Sequence, residues 1–581
     1  GQAELDPCLN ESWVSGRSEE EALEQAAARF GVDKSKITLT QDEDVLDTWF
    51  SSALFPFSVF GWPDNTADMK AFYPTSLLET GHDILFFWVA RMVMCGFGLT
   101  DQLPFTKVYL HAMVRDAHGR KMSKSLGNTL DPIDVMEGIT LEELNAKLLT
   151  GNLKDSEVAI ASEGQKKDFP KGIPECGADA LRFGLLAYTI QGRDVNLNVN
   201  KVAAYRNFCN KIWQATKFCL MNLGDDFVPT AGYVEENAAS LSFIDKWILA
   251  QLNVCINTCN EQMKAYMFGA VVEALTAFWS KNDGSGCLCD NYIEMVKGVF
   301  KLDDSTEENK TKKMQSRNVL WTCLEVYLRL LHPLMPFVTE ELYHRLPREE
   351  GPELIKSRVF SIMIAPYPQS VPQWDNPGLI AEMATLDTVF RSIRSMRNAC
   401  NLTRERPVCY CKAGDPAERE LLTAQVATLQ VMGQTGELNI TDMDAELPAD
   451  LMSKVIRSDL VAYMTPPAID HAAQLKKLTK DLQPRLKSTG QLRQKLGKAI
   501  DFDAKGLKKM QKNEKKLKQS CEKYGLAVGE VPAMFEALSS LLELSTSNPS
   551  DPAFEAAIAA LGAAAQAKVR RPRLRPPCSM Y

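Results

Sequence analysis

Between residues 179 and 346 apolar side chains recur at spacings of three and four, and this period constrains the fold more than any other feature of the chain. Phe208, Ile212, Trp213, Thr216 and Leu220 would share one side of a helix, and similar stripes run through 241–279 and 319–346. A helix with such a stripe must bury it against another, so this segment predicts a helical bundle.

The pattern before it differs. Phe50, Phe55, Phe57, Phe60, Trp62, Phe86, Phe87 and Trp88 read as buried material, broken into short pieces by Pro56, Pro63 and Pro74. Residues 105–114 are β-branched and aromatic and lead into Gly119, which predicts a strand and a turn. Helices and strands alternate here, so the first part reads as α/β. Residues 141–176 form a polar insertion with helical character, and 347–465 are mixed. Residues 466–526 are strongly basic and helical, and 527–581 are low in aromatics.

A chain of 581 residues holds several domains. Its net charge of −8 excludes a strongly basic protein of histone type, but a local basic stripe can still bind nucleic acid. No unbroken run of 18 apolar residues occurs, so no membrane span is expected, and residues 1–10 carry no secretory signal. Glycine at position 1 suggests a natural N-terminus further upstream. The 15 cysteines, an odd number, suit a reducing compartment. Cys287/Cys289 and Cys409/Cys411 are spaced too closely for a zinc ribbon, so free thiols and no metal site are expected.

The sharpest chemical signal is Lys121-Met122-Ser123-Lys124-Ser125, preceded by His111-Ala112-Met113-Val114 and Asp116 and followed by Leu126-Gly127-Asn128. Two ammonium groups on a loop after a turn can offset the charge that builds on a polyphosphate as a bond to its α-phosphate forms, and hydroxyls and loop amides can add hydrogen bonds. No G-x4-G-K-[ST] string occurs, which removes the Walker-type alternative. Four further strings stand out. They are Asp44-Val45-Leu46-Asp47-Thr48-Trp49-Phe50-Ser51-Ser52, which reads as a core strand, and Gly81-His82-Asp83-Ile84-Leu85-Phe86-Phe87-Trp88. The third is Leu331-His332-Pro333-Leu334-Met335-Pro336, with Pro336 in the first turn of a helix. The fourth is a pair of basic helical arms carrying Lys476, Lys477 and Lys480, then Lys508, Lys509, Lys512, Lys515, Lys516 and Lys518.

The lysine loop matches the KMSKS signature of class I aminoacyl-tRNA synthetases letter for letter, and the strings at 44–52 and 81–88 resemble valyl-tRNA synthetases more than isoleucyl or leucyl ones. The resemblance implies an α/β second half of a Rossmann-like catalytic domain, an all-α anticodon-binding bundle and a C-terminal helical hairpin or coiled coil. Its divisions would be 1–40, the end of an editing insertion; 41–195, the catalytic half; 196–346, the anticodon-binding bundle; 347–465, a mixed linker; 466–526, a basic tRNA-binding arm; and 527–581, an atypical tail.

It further implies that valine is activated with ATP and Mg²⁺ and transferred to tRNA(Val), in the cytoplasm and away from membranes. Lys121 and Lys124 would bind ATP phosphates, with Met122, Ser123 and Ser125 completing the loop. Gly81, Asp83 and His111 would meet the nucleotide, and Trp49 and Ile84 would line the valine pocket. Lys476, Lys477, Lys508, Lys509, Lys515 and Lys516 would touch tRNA phosphates. An isoleucine or leucine ligase, or a tRNA-binding chain without activation chemistry, stays open as an alternative. The sequence departs from the family in having no His-Ile-Gly-His-type signature, in a Gly/Ser/Asp interruption at 280–286, in an Arg/Pro-rich stretch at 569–581 and in a long insertion at 141–176, a form seen in eukaryotic cytosolic-type members.

Overall fold

The computed structural model describes residues 13–466, apart from 124–126, 151–152, 154, 192–193, 231, 282–283, 349–360, 401 and 403. The basic arms, with Lys476, Lys477, Lys508, Lys509, Lys515 and Lys516, and the tail lie outside the described residues. Contacts divide the chain into two bodies: residues up to 129 with 191–198, and 130–190 with those from 199 onward. Residues 130–190, which the sequence reading groups with 41–195, thus pack with the helices C-terminal to them.

In the first body, helix Glu19–Phe30 starts at Ser18, whose hydroxyl accepts the Glu21 amide, and stops at Gly31 in the left-handed region. Residues 44–52, expected as a strand, instead enter helix Thr48–Ser58 with Asp47 at its N-cap position. This helix buries Ala53, Pro56 and Phe57, spaced three and four apart, so the helical period overrides the β-like composition. Strand β1 (Leu78–Gly81) runs parallel to β2 (Val108–His111), and β3 (Val114–Arg115) runs parallel to β4 (Val195–Asn196). The single strand expected over 105–114 is therefore two, paired with different partners.

Between β1 and β2 lie a 3-10 turn His82–Ile84, a π turn Leu85–Val89 and helix Ala90–Thr100, which packs on helix Thr48–Ser58. Together, His82–Thr100 is long and apolar enough to cross a membrane by length and composition, a match that an unbroken-run criterion overlooks. Among the aromatics expected to be buried here, Phe57 is fully enclosed, but Phe55, Phe86 and Phe87 are 62%, 84% and 64% exposed. Composition marks a residue as apolar without saying whether a neighbour covers it, and no described element covers these three.

The second body opens with the insertion. Helices Leu141–Leu149 and Asp155–Asp168 leave and return to one point, where Ile139 and Ile173 exchange two backbone hydrogen bonds of 2.9 and 2.8 Å. Gly172 sits there at φ +76°, and a Cβ would lie 2.2 Å from the Ile139 carbonyl oxygen, so only glycine closes the base.

The bundle comes next: helices Val199–Leu223, Phe243–Lys264, Phe268–Trp279, Ile293–Phe300, Glu307–Leu331, Pro336–Arg345 and Pro377–Ala399. Of the stripe read from the sequence, Phe208, Ile212 and Thr216 are buried, while Trp213 and Leu220 pack at its margin. The interruption at 280–286 does end a helix, at Trp279, and Asp290 organises the turn beyond it. The Asp290 carboxylate accepts the Ser280 hydroxyl at 3.0 Å and the Lys281 and Gly286 amides at 2.9 Å. Deeper in, the buried Asp245 carboxylate accepts the hydroxyls of Tyr292 and Ser242, each at 2.6 Å, and burial pushes its pKa up.

The string at 331–336 is a joint. Pro336 opens helix Pro336–Arg345, as its position suggested, and Asp179 from helix Ala178–Ala187 accepts that helix's Phe337 and Val338 amides at 3.1 and 2.7 Å. Arg182, one turn on, donates to the Pro333 carbonyl at 2.9 Å, and His332 bonds the Thr339 hydroxyl at 2.7 Å. Asp179 is thus a cap supplied from another helix. Asp179→Ala should destabilise the chain by about 1–2 kcal/mol, the scale of a lost N-cap. Urea unfolding would check this, and an unchanged midpoint would show that water replaces the carboxylate.

Residues 347–465, read as a mixed linker, hold helix Pro377–Ala399 and a sheet of order β6-β5-β8-β7, with β5 Cys409–Ala413, β6 Leu438–Thr441, β7 Met452–Arg457 and β8 Leu460–Met464. Cys409 and Cys411, two apart on β5, share the buried face, where burial pushes both thiols up to about 12. Burial likewise lifts Cys287 to about 12. These side chains are therefore protonated, apolar packing material.

Candidate nucleotide site

Strands β1 and β2 end side by side, with Gly81 opposite His111. In open α/β sheets ligands bind outside the carboxyl ends of parallel strands, and Gly81, Asp83, His111 and Lys121 gather at this end. Gly81 lacks a side chain where space is short: a Cβ would lie 2.6 Å from the Met113 sulfur and 2.7 Å from the Asp83 carboxylate. Asp83, in the 3-10 turn after β1, meets Lys121 at 3.1 Å. That hydrogen bond, ahead of a smaller opposing desolvation, holds the Asp83 carboxyl below its ordinary value. The ion pair joins two strings 38 residues apart in sequence. Lys121 keeps 68% of its side chain exposed, so its ammonium can also reach a ligand.

Lys121 comes directly after a tight turn. Asp116 and Arg120 pair their backbones at 3.0 Å around Gly119, at φ +81°, and Arg115 faces Lys121 across an isolated antiparallel bridge. Arg115 is itself paired to Asp194 just before β4. Met122 and Ser123 continue from Lys121, while Lys124 and Ser125 lie outside the described residues. His111 bonds through Nδ1 to the Ala112 carbonyl at 3.1 Å.

Trp49 projects from helix Thr48–Ser58, and the Arg91 guanidinium lies 4.3 Å from its ring centroid. The helix also packs on the π turn directly after Ile84, whose side chain is 38% exposed. Arg91 was not singled out from the sequence; its one visible sign is a lone cation in an apolar stretch. Asp116 and Asn128 appeared there only as flanks of the lysine string, yet they form the hydrogen-bonded base of the loop. Among the described residues no three His, Cys, Asp or Glu side chains are grouped to hold a metal ion.

A family model described as tRNA synthetases class I (I, L, M and V) matches residues 6–198, and one described as the anticodon-binding domain of tRNA ligase matches 245–411. A valine–tRNA ligase of Rattus norvegicus is 51% identical over 437 residues, covering 75% of this chain and 33% of the relative. The Homo sapiens valine–tRNA ligase is 50% identical over 439 residues, with 75% and 33% covered. That of Takifugu rubripes is 46% identical over 514 residues, with 87% and 41% covered. The chain thus spans a third to two fifths of the length of these relatives. By these two domain matches and by its identity to these relatives over three quarters of its length, the chain belongs to the class I aminoacyl-tRNA synthetases, in the valine–tRNA ligase family.

Proposed function

We propose that this chain is the part of a cytoplasmic valine–tRNA ligase that carries the lysine loop and the anticodon-binding bundle. The observation that carries the reading is the Asp83–Lys121 pair, which sets the base of the loop against the end of β1. In the reaction, a valine carboxylate oxygen attacks the α-phosphorus of ATP, the bond to the β-phosphate side breaks, and pyrophosphate leaves. Lys121 and Lys124 would offset the charge gathering on the phosphates, with Ser123 and Ser125 donating hydrogen bonds. Gly81, Asp83 and His111 would face the nucleotide, and Trp49 and Ile84 the valine side chain.

The ribose 2′-hydroxyl at the tRNA end would then attack the carbonyl carbon and release AMP. Mg²⁺ would travel on the ATP phosphates, which suits its preference for phosphate and water oxygens over an all-protein cage. tRNA(Val) would lie along the bundle, with the basic arms at 466–526 on its phosphates.

The test is ATP–pyrophosphate exchange by the full-length enzyme that contains this chain. Exchange should depend on valine. Exchange with isoleucine and none with valine would overturn the reading.

A further inference from the structure

We propose that Asn128 and Asp116 are positioning residues that clamp residue 128 to the start of the lysine loop, so that Lys121 and Ser123 are presented from a fixed base. The clamp stands on geometry alone; its catalytic consequence rests on the nucleotide reading above.

Asn128 lies just past the loop in sequence and bonds to its start. Its Oδ1 accepts the Ser123 amide at 3.0 Å. Its Nδ2 donates to the Lys121 carbonyl at 3.3 Å and to Asp116 Oδ2 at 3.1 Å. One carboxamide thereby ties residue 128 to residues 121 and 123. Asp116 is the post to which it is tied. Asp116 is buried, only 7% exposed, and its two carboxylate oxygens take three further N–H donors: the His118 amide at 3.0 Å, the Arg120 amide at 2.9 Å and Arg120 Nε at 2.7 Å. Burial alone would raise its pKa, but these donors together with Asn128 outweigh that and hold it below the ordinary value, so it is ionised at neutral pH.

Donor and acceptor types are matched, and that explains why an amide and a carboxylate occupy these positions. The post must accept four bonds, which only an ionised carboxylate does well. The tie must accept from one amide and donate twice, which only Asn or Gln can do. Closing the loop at its base removes conformational freedom before a ligand arrives. Charges held in place ahead of the reaction stabilise developing phosphate charge more than charges that must be gathered first.

Hydrogen exchange at the Ser123 amide of the 581-residue chain tests the clamp directly. Asn128→Ala should speed that exchange about tenfold, the factor expected for one lost hydrogen bond. Asn128→Asp should speed it further, because two carboxylates would then face each other. The reciprocal pair Asp116→Asn with Asn128→Asp restores one donor and one acceptor, and should slow exchange relative to Asn128→Asp alone. Wild-type exchange in Asn128→Ala, or no rescue by the reciprocal pair, would overturn the proposal.

A second readout separates the clamp from the nucleotide reading. In the full-length enzyme, Asn128→Ala should lower the kcat of valine-dependent pyrophosphate exchange about tenfold, the same factor, with the KM for valine little changed. Faster amide exchange with unaltered kcat would support the clamp and overturn its catalytic consequence.

Discussion

Lys124→Ala in the full-length enzyme is expected to slow valine-dependent pyrophosphate exchange by a factor on the order of 100 to 1,000, the range seen when one preorganised donor to a developing charge is removed. On the proposed reading, binding of tRNA(Val) should stay close to wild type, because it would draw on many phosphate contacts spread over a large surface. Lys121→Ala should show a smaller loss. Its ammonium already has a carboxylate partner in Asp83 at 3.1 Å, so part of its charge is offset before ATP arrives. Filter binding and exchange measured on the same preparations would decide the matter. Parallel loss of tRNA binding and exchange would mean that the lysine supports the fold rather than the phosphates.

Trp279→Ala should destabilise the bundle by about 3–5 kcal/mol, the cost of removing a large aromatic from a packed core. Trp279 is fully buried, and its ring centroid lies 4.4 Å from that of Tyr327 in a stacked arrangement. The neighbouring Phe278 ring also stacks with Tyr327, at 5.8 Å. The cavity cannot collapse easily, because Tyr327 is held by a hydrogen bond to the Leu275 carbonyl at 3.2 Å. Trp279→Phe keeps a ring in place and should cost less than half as much. Urea unfolding of the chain measures both. A loss below about 1 kcal/mol for the alanine variant would show that the core repacks.

How much was legible in the sequence differs from element to element. The bundle was plain, because Phe208, Ile212 and Thr216 repeat at helical spacing and are buried together. The lysine loop stood out for another reason: residue types alone would read as a solvated basic loop, but Lys121-Met122-Ser123-Lys124-Ser125 matches the KMSKS signature letter for letter. Its clamp did not, since Asp116 and Asn128 stand 12 positions apart and meet only after the turn at Gly119 folds. Helix Thr48–Ser58 misled because Thr, Trp and Phe favour strands, and the burial of Ala53, Pro56 and Phe57 on one face decides otherwise. The sheet at 409–464 was hidden because its strands are four to six residues long, too short for alternation to stand out from a loop. Exposure of Phe55, Phe86 and Phe87 could not be read at all, because it depends on what lies beside them.

That small sheet carries one further implication, for self-association. Its outer strands, β6 and β7, have no further strand beside them among the described residues. Unpaired strand edges recruit other chains unless something spoils the template. Here β6 has only four residues. β7 carries Lys454 and Arg457, and its pairing slips between Val455 and Arg457. A short edge on one side, and a charged edge with a register fault on the other, give a second molecule no long, flat ladder to continue. Among the described residues, then, both edges of the sheet offer a poor template for fibril growth.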